Sequence, residues 1–351
     1  MKTKYMQSTH NPFNSQGKMF HHISKLMEYK LLGDTSPILI EINLTNKCNL
    51  NCYWCISSYS HKNETIKTDY LINFLKEYKN AGGKAVTWSG GGEPTLHPDF
   101  IFILKETHKI GLDQGIMSNG IFNKKLVSPI AKYCEWIRVS LDTLDNKRYK
   151  QIKGIDSLSI AKRNIIDLNK KQIKVGININ LPQDNYNYVS DLNNFFMFVT
   201  KHHIPYLQIR PVLPRIYKKE KIDLKILKKQ ISVLKTFDTS DKITVSWDKF
   251  YDLLYNKKRS YTKCRGHIFE CVLDANGDLV TCMYFLKNKK FIFGNIYESS
   301  FEQIWYSQKR KRVKKMCDKL NFNKCQVCCK CHEINKLLDF IDNDIEDKNF
   351  I

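Results

Sequence analysis

Cys48, Cys52 and Cys55 stand in EINLTNKCNLNCYWCISS at a C-x3-C-x2-C spacing. Three thiolates on one short loop can hold three irons of a cubane cluster and leave the fourth iron open to a small chelating ligand. A structural zinc site takes four closed ligands, commonly from paired C-x2-C elements, and the nearest fourth candidate here is His61. A second group fills the last quarter of the chain: Cys264, Cys271, Cys282, Cys317, Cys325, Cys328, Cys329 and Cys331. Cys134 stands alone and reads as a buried core thiol. The segment MKTKYMQSTHNPFNSQGK lacks an apolar stretch of the secretory kind, so a cytoplasmic setting is expected. Thiols stay reduced there, and clustered cysteines then argue for metal rather than disulfides.

Runs rich in β-branched residues must position the first cluster. They fall at Ile38–Asn43, Lys84–Ser89, Gln114–Ser118, Trp136–Asp142, Lys174–Leu181 and Tyr206–Val212. Amphipathic stretches separate them. Thr68–Asn80 puts Leu71, Leu75 and Tyr78 on one face and stops at Gly82-Gly83. Pro98–Ile110 ends at Gly111, and Ser157–Lys171 and Tyr186–Lys201 behave alike. Six such repeats predict an α/β fold with a parallel sheet, open or rolled into part of a barrel. Ligands of such sheets bind beyond the carboxyl ends of the strands. Further on, Lys219–Phe237 reads as a helix leading away, and Asn276-Gly277 marks a hairpin in ECVLDANGDLVTCMYF. Ser299 or Ser300 caps a helix, a basic helix covers Gln308–Lys315, and DFIDNDIEDKNFI reads as a frayed acidic tail. The expected divisions are 1–37, an N-terminal extension; 38–218, the β–α domain; 219–262, a helical connection; 263–338, a small cysteine-rich domain; and 339–351, the tail.

The cysteine spacing after a first strand, with Trp54 just before Cys55, resembles the radical S-adenosylmethionine (SAM) superfamily. WSGGGEPTLHP after the second run is similar to that family's Gly-Gly-Glu motif at Gly91, Gly92 and Glu93. The resemblance implies that glycines let the backbone approach the methionine part of SAM and that the carboxylate meets its ammonium group. Ser118-Asn119-Gly120 resembles the family's T-N-G, and Ser140-Leu141-Asp142 its S-L-D. Asn178 and Asn180 lie where the family contacts the adenosine, with strand-end hydrogen bonding as the alternative. Arg210 is a candidate for the methionine carboxylate, with an ordinary salt bridge as the alternative. The implied fold is a partial (β/α)6 barrel. The implied cofactors are a [4Fe–4S] cluster and SAM, cleaved reductively to give a 5′-deoxyadenosyl radical that takes hydrogen from an unactivated C–H bond.

Cys264, Gly277 and Cys282 resemble the C-x(9–15)-G-x4-C opening of SPASM and twitch domains, which house auxiliary iron–sulfur clusters. The resemblance implies at least one auxiliary [4Fe–4S] cluster, held by Cys264, Cys282, Cys325 and Cys328. The ending Cys317-x7-Cys325-x2-Cys328-Cys329-x-Cys331 departs from the full SPASM pattern and puts a second auxiliary cluster in doubt. Cys271 is an alternative ligand beside Cys264, and Cys331 one in place of Cys328. Cys271, Cys317 and Cys329 are also possible hydrogen-atom donors for an epimerisation. A zinc knuckle is the structural alternative.

The 351 residues, 42% hydrophobic and 26% charged, suffice for one large and one small domain. They exclude a disordered tail, a collagen-like repeat and a disulfide scaffold. No apolar run approaches the roughly 18–20 residues of a membrane span. The net charge of +22 favours an anionic substrate or a nucleic acid, or reflects an AT-rich genome. The expected substrate is a small polyol, such as a sugar, aminocyclitol or nucleoside, that is oxidised, dehydrated or epimerised. The alternative is a ribosomally made peptide; about 37 residues before the first strand are too few for a winged-helix leader-binding domain. An electron donor such as flavodoxin or ferredoxin is implied. A zinc-knuckle nucleic-acid binder is the remote alternative, which the Gly-rich strand ends oppose.

Overall fold

The computed structural model describes residues 15–58, 63–184, 186–215, 220–237, 242–256, 259–322, 325 and 329–343. Cys328 and His61 lie outside these. Among the described residues ten strands form one sheet: β1 Leu39–Asn43, β2 Ala85–Ser89, β3 Asp113–Ser118, β4 Trp136–Ser140, β5 Lys174–Leu181, β6 Tyr206–Pro211, β7 Ile243–Val245, β8 Glu270–Leu273, β9 Asp278–Val280 and β10 Ile292–Asn295. Their order is β10-β9-β8-β1-β2-β3-β4-β5-β6-β7. The pairs from β1 to β7 are all parallel, which suits β–α crossovers.

The expected partial barrel of parallel strands is present, with differences at its borders. β4 ends at Ser140, not Asp142, because Asp142 takes a left-handed φ of 66° and turns the chain. The expected helical connection contains β7, whose Ile243 pairs with Leu207 and widens the sheet. Its first helix runs Leu224–Phe237, with Asp223 Oδ1 accepting from Lys225 N at 2.9 Å. The helix Asn146–Lys153, stopped by Gly154, was not visible in the sequence, since NKRYKQIK shows little apolar periodicity.

β8 pairs in parallel with β1, Leu39 opposite Glu270, so the C-terminal domain continues the barrel sheet. The hairpin turns where expected, at Gly277 with φ 87°. Ser300 caps the next helix in a capping box with Gln303. The basic helix runs on to Asp318. The acidic tail is not frayed from its start, because residues up to Asp342 complete the helix His332–Asp342. Asp342 accepts from Tyr29 Oη at 2.8 Å and from Arg265 at 2.5 Å. That helix packs on the N-terminal extension through Met19, Leu26, Tyr29, Ile268, Phe269, Ile334, Leu337 and Leu338. The extension is further tied down by Asp34, which accepts from buried Arg310 at 2.7 and 2.8 Å. The Arg310 guanidinium lies 3.6 Å from the centre of the Trp305 ring.

Side chains alternate along each barrel strand. Ile40, Ile42, Val86, Trp88, Ile116, Ile137, Val139, Ile177, Ile179, Leu207 and Ile209 are buried against the helices. The opposite face is polar: Arg138 donates to Gln208 and Met117, Gln208 to Ser246, and Asn180 to Ser140. The apolar face holds the fold together, and the polar face is left for chemistry. Among the described residues no helix is long and apolar enough to cross a membrane.

Candidate active site

The cysteine loop leaves the carboxyl end of β1 and is clasped from several sides. Asn46 N donates to Glu64 O at 2.9 Å and Asn46 Nδ2 to Glu64 Oε2 at 2.7 Å, closing its base. Asn51 N donates to Lys153 O at 3.0 Å, and Asn49 Nδ2 to Ile121 O at 2.8 Å. Between these clamps Cys48, Cys52 and Cys55 are half-buried thiols. Cys55 N donates to Cys52 O at 3.0 Å, a tight turn that puts two thiols on one bend. Burial pushes all three thiols up, Cys48 to about 11. Trp54 is half-buried and meets Tyr53 edge-on at 4.4 Å.

The glycine-rich turn after β2 packs directly on this loop. Gly92 N donates to Thr45 O at 3.0 Å and Glu93 N to Lys47 O at 2.8 Å. A Cβ on Gly92 would stand 1.9 Å from Lys47 O, so glycine is required here by the cysteine loop itself. Gly91 is buried in the same turn. The Glu93 carboxylate is buried and accepts from Thr95 Oγ1 at 2.7 Å, Ser118 Oγ at 2.8 Å and Asn119 N at 2.7 Å. Burial raises its pKa against these donors. Glu93 therefore ties the ends of β2 and β3 together, a role its motif did not reveal. Asn119 extends the tie, with Nδ2 2.7 Å from Asn49 Oδ1 and 3.9 Å from Cys48 Sγ. Glu93→Gln is expected to lower stability by about 1.5–3 kcal/mol, because donors now lose a charged acceptor. Thermal unfolding of the metal-free protein checks this; an unchanged Tm would contradict the tie.

The ends of β4 and β5 meet through Asp142, which is buried and accepts from Asn180 N at 2.7 Å and Asn180 Nδ2 at 3.0 Å. Asp142 is also paired with Lys153, buried to 2% exposure. Asp142 and the Cys52 thiol raise the Lys153 pKa against a large cost of burial. Lys153 was missed from sequence: it is one of several lysines in a charged helix, and only the next residue, Gly154, hints at its place. Arg210 lies on the polar barrel face, and its Nε is buried without a partner among the described residues. Arg138, on the same face, was likewise not singled out.

The second cysteine group surrounds one cavity. Cys264, Cys282, Cys317, Cys325, Cys329 and Cys331 line it, with Glu41, Glu270 and Lys330. The structure thus brings three of the four expected ligands together and adds Cys317, Cys329 and Cys331 to them. Burial raises Cys317 to about 12, and burial together with the neighbouring thiols pushes Cys264 well above the ordinary thiol range. Cys271 departs from expectation. It is fully buried on the other face of β8, in the apolar core near Tyr78, while its neighbours Glu270 and Val272 face the cavity. It is therefore neither a ligand there nor a hydrogen donor to the barrel. Cys134 is a buried core thiol, as expected.

The radical SAM superfamily model matches residues 42–196, and the iron–sulfur cluster-binding SPASM model matches residues 264–332. A probable GTP 3′,8-cyclase of Pyrococcus abyssi is 30% identical over 142 residues, 40% of this chain and 46% of that protein. The chain spans about half the length of such curated relatives. The crystal structure of Streptococcus suis SuiB bound to precursor peptide SuiA superposes with a TM-score of 0.68 at 18% identity, covering 92% of this chain and 75% of that one. Native anSMEcpe with bound AdoMet and Cp18Cys peptide superposes with a TM-score of 0.61 at 18% identity, covering 86% and 88%. The donor sets fit: three half-buried thiols on one loop, and six thiols around one cavity, all of them sulfur. The protein takes [4Fe–4S] clusters and SAM, and the chain belongs to the radical SAM superfamily, with a SPASM domain at its C-terminal end.

Proposed function

We propose that this enzyme is a radical SAM maturase that takes hydrogen from a peptide. The observation that carries the reading is the shared wall between the two sites. Glu41 belongs to the polar barrel face and also lines the thiol cavity, so an auxiliary cluster there borders the space where substrate sits. Cys48, Cys52 and Cys55 would hold the first cluster, and Cys264, Cys282, Cys325 and Cys328 the second; Cys317 and Cys329 line the same cavity as Cys264, Cys282 and Cys325. When bound, cluster and SAM supply a 5′-deoxyadenosyl radical that abstracts hydrogen. Trp54, Gly91, Gly92, Glu93, Ser118, Asn119, Ser140, Asp142 and Asn180 would surround SAM, orient it and exclude water. The likeness to SuiB and anSMEcpe, both bound to peptides, supports a peptide. A small polyol has no such support. The basic surface suits an acidic redox protein, flavodoxin or ferredoxin, as electron donor.

The test is isotopic. Reduced enzyme with SAM is offered deuterated candidate peptides and deuterated polyols. Deuterium is expected in 5′-deoxyadenosine from a peptide, with a matching mass change in that peptide. Transfer from a polyol and from no peptide would sink the reading.

A further inference from the structure

Among the described residues, two guanidinium groups inside the barrel have no carboxylate of their own. Arg138 sits midway along β4 and Arg210 near the end of β6, on the same polar face with β5 between them. Elsewhere in the molecule Arg148, Arg215, Arg265 and Arg310 each pair with a carboxylate. Arg138 donates instead to neutral groups, Gln208 Oε1 at 3.0 Å and Met117 Sδ at 3.2 Å. Arg210 Nε is buried with no partner there. Glu41 is the carboxylate whose charge reaches Arg138, but Lys330 already holds it. Burial and then the neighbouring Arg210 bring the Arg138 pKa down to about 10. Two like charges in a low-dielectric site repel, and the natural relief is an anion between them. Asn178, buried on β5 between the two strands, keeps an unpartnered Oδ1 that suits the N–H of an amide.

We propose that Arg138 and Arg210 bind a carboxylate of the substrate, so that the segment entering the barrel carries an acidic side chain near the residue that loses hydrogen. This rests on the peptide reading. A planar carboxylate matches the donor fork of a guanidinium, and charge-assisted bonds of this kind are the strong ones. The residues assigned to SAM stand at the strand ends, whereas Arg138 lies a rank below Ser140, towards the middle of the barrel.

The test is thermal unfolding of the reconstituted holoenzyme, saturated with SAM, in the presence of N-acetylglutamate N-methylamide, its glutamine counterpart or inorganic phosphate. A ligand that binds only the folded state raises Tm with its concentration. The glutamate probe is expected to raise Tm and the glutamine probe to leave it unchanged. Arg138→Gln should lose the response, keep wild-type SAM affinity and, without probe, melt no lower than wild type, because one of two repelling charges is gone. Arg210→Gln should also lose the response, and Arg138→Lys should keep part of it. Equal responses to both amides, or a response that persists in the Gln variants, would overturn the site in favour of binding at surface lysines. A tenfold loss of SAM affinity in Arg138→Gln would overturn it by assigning the arginine to SAM. Stabilisation by phosphate but not by glutamate would overturn the carboxylate in favour of a phosphorylated substrate. Binding is read without turnover, so a glutamate response alongside no deuterium from any peptide overturns the peptide reading alone.

Discussion

Alanine in place of Cys48, Cys52 and Cys55 together abolishes reductive cleavage of SAM and removes about half of the iron, from about eight to about four per chain. The loop closes at its base through Asn46 and Glu64, independently of the thiols, so the variant folds. The remaining irons belong to the cavity around Cys264, Cys282 and Cys325, which the substitutions do not touch. Iron and sulfide analysis, with chromatographic assay of 5′-deoxyadenosine, measures both halves of the result. Undiminished 5′-deoxyadenosine in the triple variant would refute the assignment of the first cluster. Iron near twelve in the wild type would instead replace one auxiliary cluster by two.

Lys153→Met is the second large effect, and it falls on stability. Lys153 and Asp142 are exposed by no more than 2%, and the pair sits beneath the cysteine loop. Removing one partner of a buried pair leaves the other charge uncompensated and costs about 3–5 kcal/mol. Lys153→Met with Asp142→Asn should cost less than the sum of the single changes, because the stranded charge has gone. The folded Lys153 pKa is raised, so its contribution is complete below the ordinary lysine value of about 10.4 and is lost only as pH rises through the folded value. The difference between wild type and variant is therefore level from pH 6 to 9. Denaturant unfolding at several pH values checks it; a difference that grows steadily across this range would point to another group.

The strands and helices that set up the site were legible where local chemistry decided them. The Thr68–Asn80 helix and β5 fall on the residues their periodicity marks. Asn276-Gly277 and Ser300 act where their turn and cap chemistry puts them. The cysteine motifs were legible for the same reason, since the loop after β1 is a local object. What stayed hidden depends on partners far along the chain. β7 has three residues, too few for a pattern, and earns its place only from β6. Lys153 looks like a surface lysine until Asp142 is brought over it. Arg138 in WIRVS is one charge in an apolar run, and its orientation towards the polar face follows from pleating and register. Cys317 and Cys271 were indistinguishable in spacing, yet one faces the cavity and the other the core.

The pairing of β8 with β1 also governs how the molecule is made. Asn43 and Asp274, 231 residues apart, share a hydrogen bond at 3.0 Å where the first barrel strand meets the last domain. At about 5–20 residues per second of synthesis, one edge of β1 waits on the order of 10–50 s for its neighbour to leave the ribosome. An open strand edge is a template for pairing with other chains, and contacts of such sequence separation form slowly. The nascent barrel thus carries an open edge at β1 until the C-terminal domain arrives. A chain cut near residue 262, where composition suggests a boundary, keeps that edge bare for good.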